Sequence, residues 1–436
     1  METPDELDVA PFIREFSSRV RESGSEPTKT ETGPSSDLDV PSFIRQTSTT
    51  QPARTTDGFG ALQWGTMRRG SSSSDLDTIR VPANVSTVTP NYSDDLLSVW
   101  SGKFPLEPLG LMLAGAICAK SERGSEDSCP LVVLRSRGDG NVTLTGAVCD
   151  GVGGAGSSTT LVDEGGRMVE RTQAFVASRL VRRSLTELSL SGQALDAQTL
   201  QRKISKSLAE FKDRHLHESP SSLRGSMIKT LPSTLALFQC LIDRANRGGS
   251  LRLTTSWAGD SRIYVLSPRT GLAQLTRDDV EIDDAFEQLK LDPPTTNVLN
   301  GSGSFEVHRT SIHIDLPCVV VAATDGMFGY LPTPGSLELL LLQEMAAATD
   351  ITQFAHSIAL RVGELTADDV SFVIAMIGFG ADIQSAAGQF ATRLRSLNEQ
   401  YGGRTPEELL LSEESELERL WLLERKSYSR LLAGDR

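Results

Sequence analysis

The sequence has no pair of cysteines at metal-binding spacing. Its five cysteines, Cys118, Cys129, Cys149, Cys240 and Cys318, are scattered and mostly sit in apolar runs. No CxxC occurs, and His215 and His217 have no cysteine nearby, so a zinc site is not expected and buried free thiols in a reducing compartment are. No apolar signal core follows Met1-Glu-Thr-Pro-Asp-Glu6, and no apolar run is long enough to cross a bilayer. The expectation is a soluble cytoplasmic protein. Positive charge is also short, with 43 Lys and Arg against 57 Asp and Glu, a net of −14. That balance argues against nucleic acid and anionic membranes as partners, because basic surface supplies the affinity for both. It suits the holding of divalent cations by carboxylates, although an acidic surface is more often only a solubility device. Aromatics are only 6% and hydrophobic residues 38%. A polar tail diluting an ordinary domain explains that dilution, since 436 residues are too many for one compact core.

Residues 1–93 form that tail: Ser, Thr, Pro, Asp and Glu dominate, and stretches such as Gly70-Ser-Ser-Ser-Ser-Asp75 cannot bury enough apolar area to offset ordering entropy. The expectation is a disordered arm. Two islands interrupt it, residues 6–14 (Glu-Leu-Asp-Val-Ala-Pro-Phe-Ile-Arg) and 37–45 (Asp-Leu-Asp-Val-Pro-Ser-Phe-Ile-Arg). An acidic start, a stiffening proline and Phe-Ile-Arg make a docking-like peptide. Asp75-Leu-Asp-Thr-Ile-Arg80 is a decayed echo.

These islands resemble the C-terminal peptide of the bacterial tubulin-like division GTPase, which several partners grip. The resemblance implies that peptides of this shape are recognised, here by an unknown receptor.

Residues 94–380 read as a globular domain. β-rich runs occur at Leu131–Leu134, Val142–Cys149, Leu251–Trp257, Arg262–Leu266, Cys318–Ala323 and Val370–Ile377. Helical periodicity links Leu200, Ile204, Leu208 and Phe211, and Phe354, Ile358 and Val362. Strands cluster instead of alternating strictly with helices, which points to an α+β layered sandwich. Residues 381–436 read as a helical extension: Phe390, Leu394 and Leu397 stripe one helix, and a second starts at Thr405-Pro406, with Thr as N-cap.

Acids recur at strand ends. Asp150 follows one strand and Asp325 another, each before a glycine; Asp368 precedes a strand, and Glu126-Asp127 precede the one near Leu131. In an antiparallel sheet one strand's end lies beside its neighbour's start, so these carboxylates can share one rim. Hard oxygen ligands without His or Cys suit Mg²⁺ or Mn²⁺.

In these motifs the chain resembles the metal-dependent serine/threonine protein phosphatases of the PPM (type 2C) family, over roughly residues 111–378. The motifs, in the family's order, are Glu126-Asp-Ser, Asp150-Gly-Val-Gly-Gly, Ser233-Thr-Leu-Ala, Trp257-Ala-Gly-Asp-Ser-Arg262, Leu275-Thr-Arg-Asp278, Ala323-Thr-Asp-Gly326 and Asp368-Asp-Val-Ser371. The resemblance implies an α/β/β/α sandwich of two mainly antiparallel sheets flanked by helices, and hydrolysis of phosphoserine and phosphothreonine in proteins, with a cognate kinase system as partner. It implies two ions, with Asp150 bridging, Asp325 and Asp368 on one, and Glu126 with the Gly151 carbonyl on the other. Asp127 then orients the attacking water, and Ala258–Arg262 is a structural turn. Two divalent ions acidify water and neutralise the phosphate during in-line attack, so no protein nucleophile is needed.

The chain departs from the family in three places. The phosphate-gripping arginine maps to Arg123, one residue nearer the Glu-Asp pair than usual, with Lys120 as a substitute. Val152 stands where eukaryotic members carry a histidine, as in bacterial members. Lys229 stands where an acid would serve a third ion. The rival reading is a PPM-fold module that binds phosphoproteins or scaffolds with little catalysis; the full set of metal acids favours the enzyme.

Other matches are turned down. Gly151–Gly156 fits a dinucleotide fingerprint, but the segment after it reads as helix through Leu190, with no second strand ending in an acid. Cys129 to Arg135 fits a cysteine-phosphatase spacing, but its middle is a strand with no anion cradle.

Overall fold

The chain runs through fourteen strands in two main sheets and one hairpin, in a computed structural model that describes residues 85–88, 96–104, 106, 109–121, 124–136, 141–164, 166–216, 229–242 and 249–432. Readings that fall on residues 1–84, including both repeats, and on Arg123 lie outside the described residues.

One six-stranded sheet has the order β1 (Val85–Val88), β4 (Leu131–Ser136), β5 (Val142–Val148), β8 (Leu235–Ile242), β9 (Ser250–Ala258), β12 (His308–Asp315). The other has the order β11 (Gly271–Gln274), β10 (Arg262–Ser267), β13 (Cys318–Ala323), β14 (Val370–Ile377), β3 (Leu111–Cys118), β2 (Leu97–Phe104). Neighbours in both sheets are antiparallel. The edge strand β1 lies upstream of residue 94, where composition alone places the start of the domain. Four residues, VSTV, carry too little pattern to stand out from the polar tract around them.

Alternation along the central strands explains the layers. In β13, Cys318, Val320 and Ala322 face the core between the sheets, while Val319, Val321 and Ala323 face the core beneath the helices. In β4, Val132 and Leu134 point between the sheets and Leu131 and Val133 toward the opposite helical layer. A strand covered on both faces needs no polar side, so these segments read as unbroken apolar runs. The layers are therefore α/β/β/α. Helices α1 (Gln173–Ser191) and α2 (Ala197–His215) cover the first sheet. After the short α3 (Ala285–Leu291), helices α4 (Ser336–Ala347), α5 (Ile351–Leu365) and α6 (Ile383–Gln400) pack in the core of the second. Leu339–Leu342 are all buried in α4.

Two readings need correction. The residues after Gly156 are not helical at once: the hairpin β6 (Thr159–Glu164) and β7 (Arg167–Thr172) comes first, and only Val162 in it is buried. A hairpin with no packed face leaves no period-two pattern to read. The segment from Thr405 is two helices, α7 (Pro406–Leu409) and α8 (Glu414–Tyr428). Thr405 caps α7 in a capping box with Glu408, and the Ser412 N–H closes a turn on Leu409 O.

The residues after Gly380 share the core with the second sheet: Phe390, Tyr401, Leu409, Leu420, Trp421 and Tyr428 are all buried there. Glu424 is buried among them, accepting from Gln400 Nε2 (2.6 Å) and the Tyr401 hydroxyl. Burial pushes its carboxyl up to about 7. A carboxyl kept neutral by the fold contributes fully below its unfolded pKa and loses that contribution as pH rises through about 7. The shift corresponds to about 3 kcal/mol. Urea melts of the wild type should therefore show stability falling from about pH 5 to about pH 8, and Glu424→Gln should flatten that slope.

Candidate active site

The strand pairings bring every flagged acid to one rim. In the first sheet Leu131 pairs with Ala147, so Glu126-Asp127, before β4, lie beside Asp150, just past β5. Val148 pairs with Ala236 and Leu235 with Ala258, adding Ser233-Thr234 and the turn Gly259–Ser261. In the second sheet Arg262 pairs with Ala323 and Ala323 with Phe372, which adds Asp325 and Asp368. Between them, β9 and β10 belong to different sheets, so the Gly259–Ser261 turn bridges the layers at this rim.

Hydrogen bonds fix the backbone beneath the acids. Asp150 O accepts from Thr234 N (2.9 Å) and Ser233 Oγ (2.7 Å), and Asp150 N donates to Thr234 Oγ1 (3.3 Å). Thr324 Oγ1 donates to Asp127 Oδ2 (2.9 Å) and accepts from Ser371 N (2.9 Å), joining β13, β14 and the Glu126-Asp127 turn. Glu126 Oε1 accepts from Thr172 Oγ1 (2.7 Å). Gly151 and Gly326 admit no side chain: a Cβ on the first would stand 2.5 Å from Ala174 O, and on the second 2.0 Å from Asp369 O.

Asp127 is buried, Glu126, Asp150 and Asp325 are half-buried, and Asp368 is exposed. Burial pushes the carboxyls of Asp127, Asp150 and Asp325 well above the usual range, and neighbouring charges push further: Asp369 on Asp127, Asp127 on Asp150, Asp260 on Asp325. Burial likewise raises Glu126; local desolvation raises the carboxyl of the exposed Asp368 and lifts the hydroxyl of the exposed Tyr330 to about 12, with Asp368 and Asp325 adding to the latter.

Several residues here escape sequence reasoning. Arg179, buried in α1, stacks over the Phe175 ring at 3.4 Å and donates to Ser125 O (2.9 Å) and Glu126 O (3.2 Å), holding the Glu126-Asp127 turn. A lone arginine inside a helix gives no sign of this. Asp369 accepts from Glu126 N (2.6 Å) and Lys120 N (2.8 Å); its doubling of Asp368 was the available signal. Asp260, read as part of a structural turn, is raised to about 7 by burial and by the Asp278 charge, and is the strongest charge acting on Asp325. The Lys120 ammonium is engaged with Gly363 O, on α5. Lys229 is half-buried at the edge of the described segment.

Among the described residues, no group of three or more His, Cys, Asp or Glu is placed so that it could hold a metal ion. The donor set nevertheless fits a hard divalent cation: it is all oxygen, and the buried Asp127 Oδ1 and Asp260 Oδ1 have no hydrogen-bond partner.

No family model and no curated protein matches the chain. Solved structures similar to it include the catalytic domain of the serine threonine protein phosphatase PstP in complex with two manganese ions, at 19% identity, TM-score 0.38, covering 62% of this chain and 99% of that one. Another is PppA, a regulatory component of T6SS in Pseudomonas aeruginosa, at 15% identity, TM-score 0.38, covering 65% and 98%. A third is the PPM Ser-Thr phosphatase MsPP from Mycobacterium smegmatis with cacodylate, at 15% identity, TM-score 0.39, covering 61% and 97%.

Proposed function

We propose that this protein is a Mg²⁺- or Mn²⁺-dependent phosphatase of phosphoserine and phosphothreonine proteins, of the PPM type. The observation that carries the reading is the convergence of carboxylates from both sheets on one rim, with buried acid oxygens lacking hydrogen-bond partners. Asp150 would hold both ions, Asp325 and Asp368 one, and Glu126 with the Gly151 carbonyl the other. When bound, the ions supply the positive charge that acidifies water and neutralises the phosphate.

The chain's own groups do the positioning. Thr324 holds one oxygen of Asp127, whose carboxyl is assigned to orient the attacking water. Arg179 and Thr172 hold Glu126 from its carbonyl and its carboxylate. With the Lys120 ammonium engaged elsewhere, Arg123 is the residue assigned to grip the phosphate. Arg123→Ala should raise KM for a phosphopeptide more than it lowers kcat, because that contact is made in the ground state as well. The opposite split, or the same phenotype from Lys120→Ala alone, would move the assignment.

The reading is tested by phosphate release from phosphothreonine and phosphoserine peptides with Mn²⁺, with Mg²⁺ and in chelator. Metal-dependent release from these supports it; no release under any condition overturns it.

The N-terminal repeats are assigned to recruitment. Each copy binds weakly and the pair binds by avidity, with Phe12 and Phe43 as apolar anchors. Because β1 belongs to the sheet, the test deletes residues 1–84 and not 1–93. Hydrolysis of a small phosphopeptide should be unchanged and partner recovery lost. Phe12→Ala with Phe43→Ala should reproduce the loss, whereas full recovery would reduce the repeats to biased sequence.

A further inference from the structure

The C-terminal helix α8 meets Arg262, the residue that follows the Gly259–Ser261 turn. Its guanidinium is buried and bonds Asp278 from Nη2 (2.7 Å) and Nε (2.9 Å). It also donates to Gln288 Oε1 (2.6 Å) and to the Tyr428 hydroxyl (3.3 Å), and lies 4.1 Å above the Phe328 ring. Tyr428 is the last residue of α8 and meets Tyr264 edge-on. The same helix ties down the α3 segment: Trp421 Nε1 donates to Asp284 Oδ1 (3.1 Å), Arg425 pairs with Asp284 (3.0 Å), and Lys290 pairs with Glu414 (2.5 Å).

The other end of this arrangement is the Gly259–Ser261 turn. Gly259 N donates to Asp279 Oδ2 (2.9 Å) and Gly259 O accepts from Asp279 N (3.0 Å). Asp279 neighbours the ion-pair partner of Arg262, so two adjacent acids hold the turn from both sides. Ser261 Oγ lies 2.6 Å from Thr234 Oγ1, which accepts from Asp150 N. Asp260 sits in the middle, its Oδ1 buried without a hydrogen-bond partner and its charge acting on Asp150 and Asp325.

We infer that α8 is a positioning element of the active site: Tyr428 orients Arg262, the Arg262–Asp278 pair sets the Gly259–Ser261 turn, and the turn sets Asp260 at the rim beside the carboxylates that would hold the ions. The inference rests on the phosphatase reading. It makes the extension a support of the site and not an appendage to it. The exposed Leu422 and Leu423 lie on this helix, outside the network.

The test uses the full chain and Mn²⁺ alone as probe. Tyr428→Phe deletes one hydroxyl and keeps the ring contacts, so the fold is retained. By calorimetry it should bind Mn²⁺ about tenfold more weakly, the low end for groups that orient ligands. With phosphopeptide, kcat should fall while KM is unchanged, and the urea midpoint should stay near wild type. Asp260→Asn should weaken Mn²⁺ binding too, and adding Tyr428→Phe to it should cost nothing further, as expected for groups acting through one path. Leu423→Ala should match wild type. If Tyr428→Phe binds Mn²⁺ like wild type, if Asp260→Asn is without effect, or if the two effects multiply, the inference is overturned while the phosphatase reading stands. A wild-type chain that binds no Mn²⁺ overturns both.

Discussion

Asp150→Asn should abolish phosphate release, by on the order of 10³-fold or more, while leaving the protein folded. Removing a single preorganised group that stabilises transition-state charge already costs about 10²–10³-fold, and Asp150 is assigned to both ions. The side chain is half-buried at a strand end and contributes charge, not packing. Its backbone bonds to Ser233 and Thr234 do not involve the carboxylate and survive the change. In chelator the substitution should raise Tm, because it removes one of the like charges that burial and Asp127 already hold above the usual range. Activity with loss of Tm would mean that Asp150 serves structure. Activity near wild type would remove the assigned centre.

Arg262→Ala should produce the largest loss of stability among the substitutions considered, about 3–5 kcal/mol. It leaves Asp278 inside the protein with its Gln274 bond (3.0 Å) and no cation. A domain of ordinary stability has about 5–15 kcal/mol in total, so the variant should melt at much lower urea concentration. Arg262→Lys should recover only part of it, since a point charge cannot bond Asp278 from two nitrogens, reach Gln288 and stack on Phe328 together. Replacing both partners, Arg262→Met with Asp278→Leu, should be far milder than either single change. If Arg262→Ala melts like wild type, the buried pair does not hold the turn.

Much of this architecture is legible in the sequence because its central strands are covered on both faces. Cys318–Ala323 and Val370–Ile377 announce themselves as apolar runs with the bounds the structure gives them. The convergence of Asp150, Asp325, Asp368 and Glu126-Asp127 follows from antiparallel pairing alone: an acid at a strand's end must lie beside the acid at its neighbour's start. What the sequence hides is contact between distant segments. Arg179 sits more than fifty residues from the turn it holds, and nothing in its helix marks it. Tyr428 supplies apolar periodicity to α8, which is why it reads as core, yet its hydroxyl meets an arginine in a motif 166 residues away. The hairpin of β6 and β7 fails for the opposite reason: it buries almost nothing, so it carries no pattern to read.

The central claim is that one rim of carboxylates holds two divalent cations. Calorimetric titration of the full chain with Mn²⁺ tests it most directly. The expected result is saturable binding of two ions per chain in the wild type and loss of both in Asp150→Asn. A wild-type titration with no saturable binding, or one that Asp150→Asn leaves unchanged, would contradict the account.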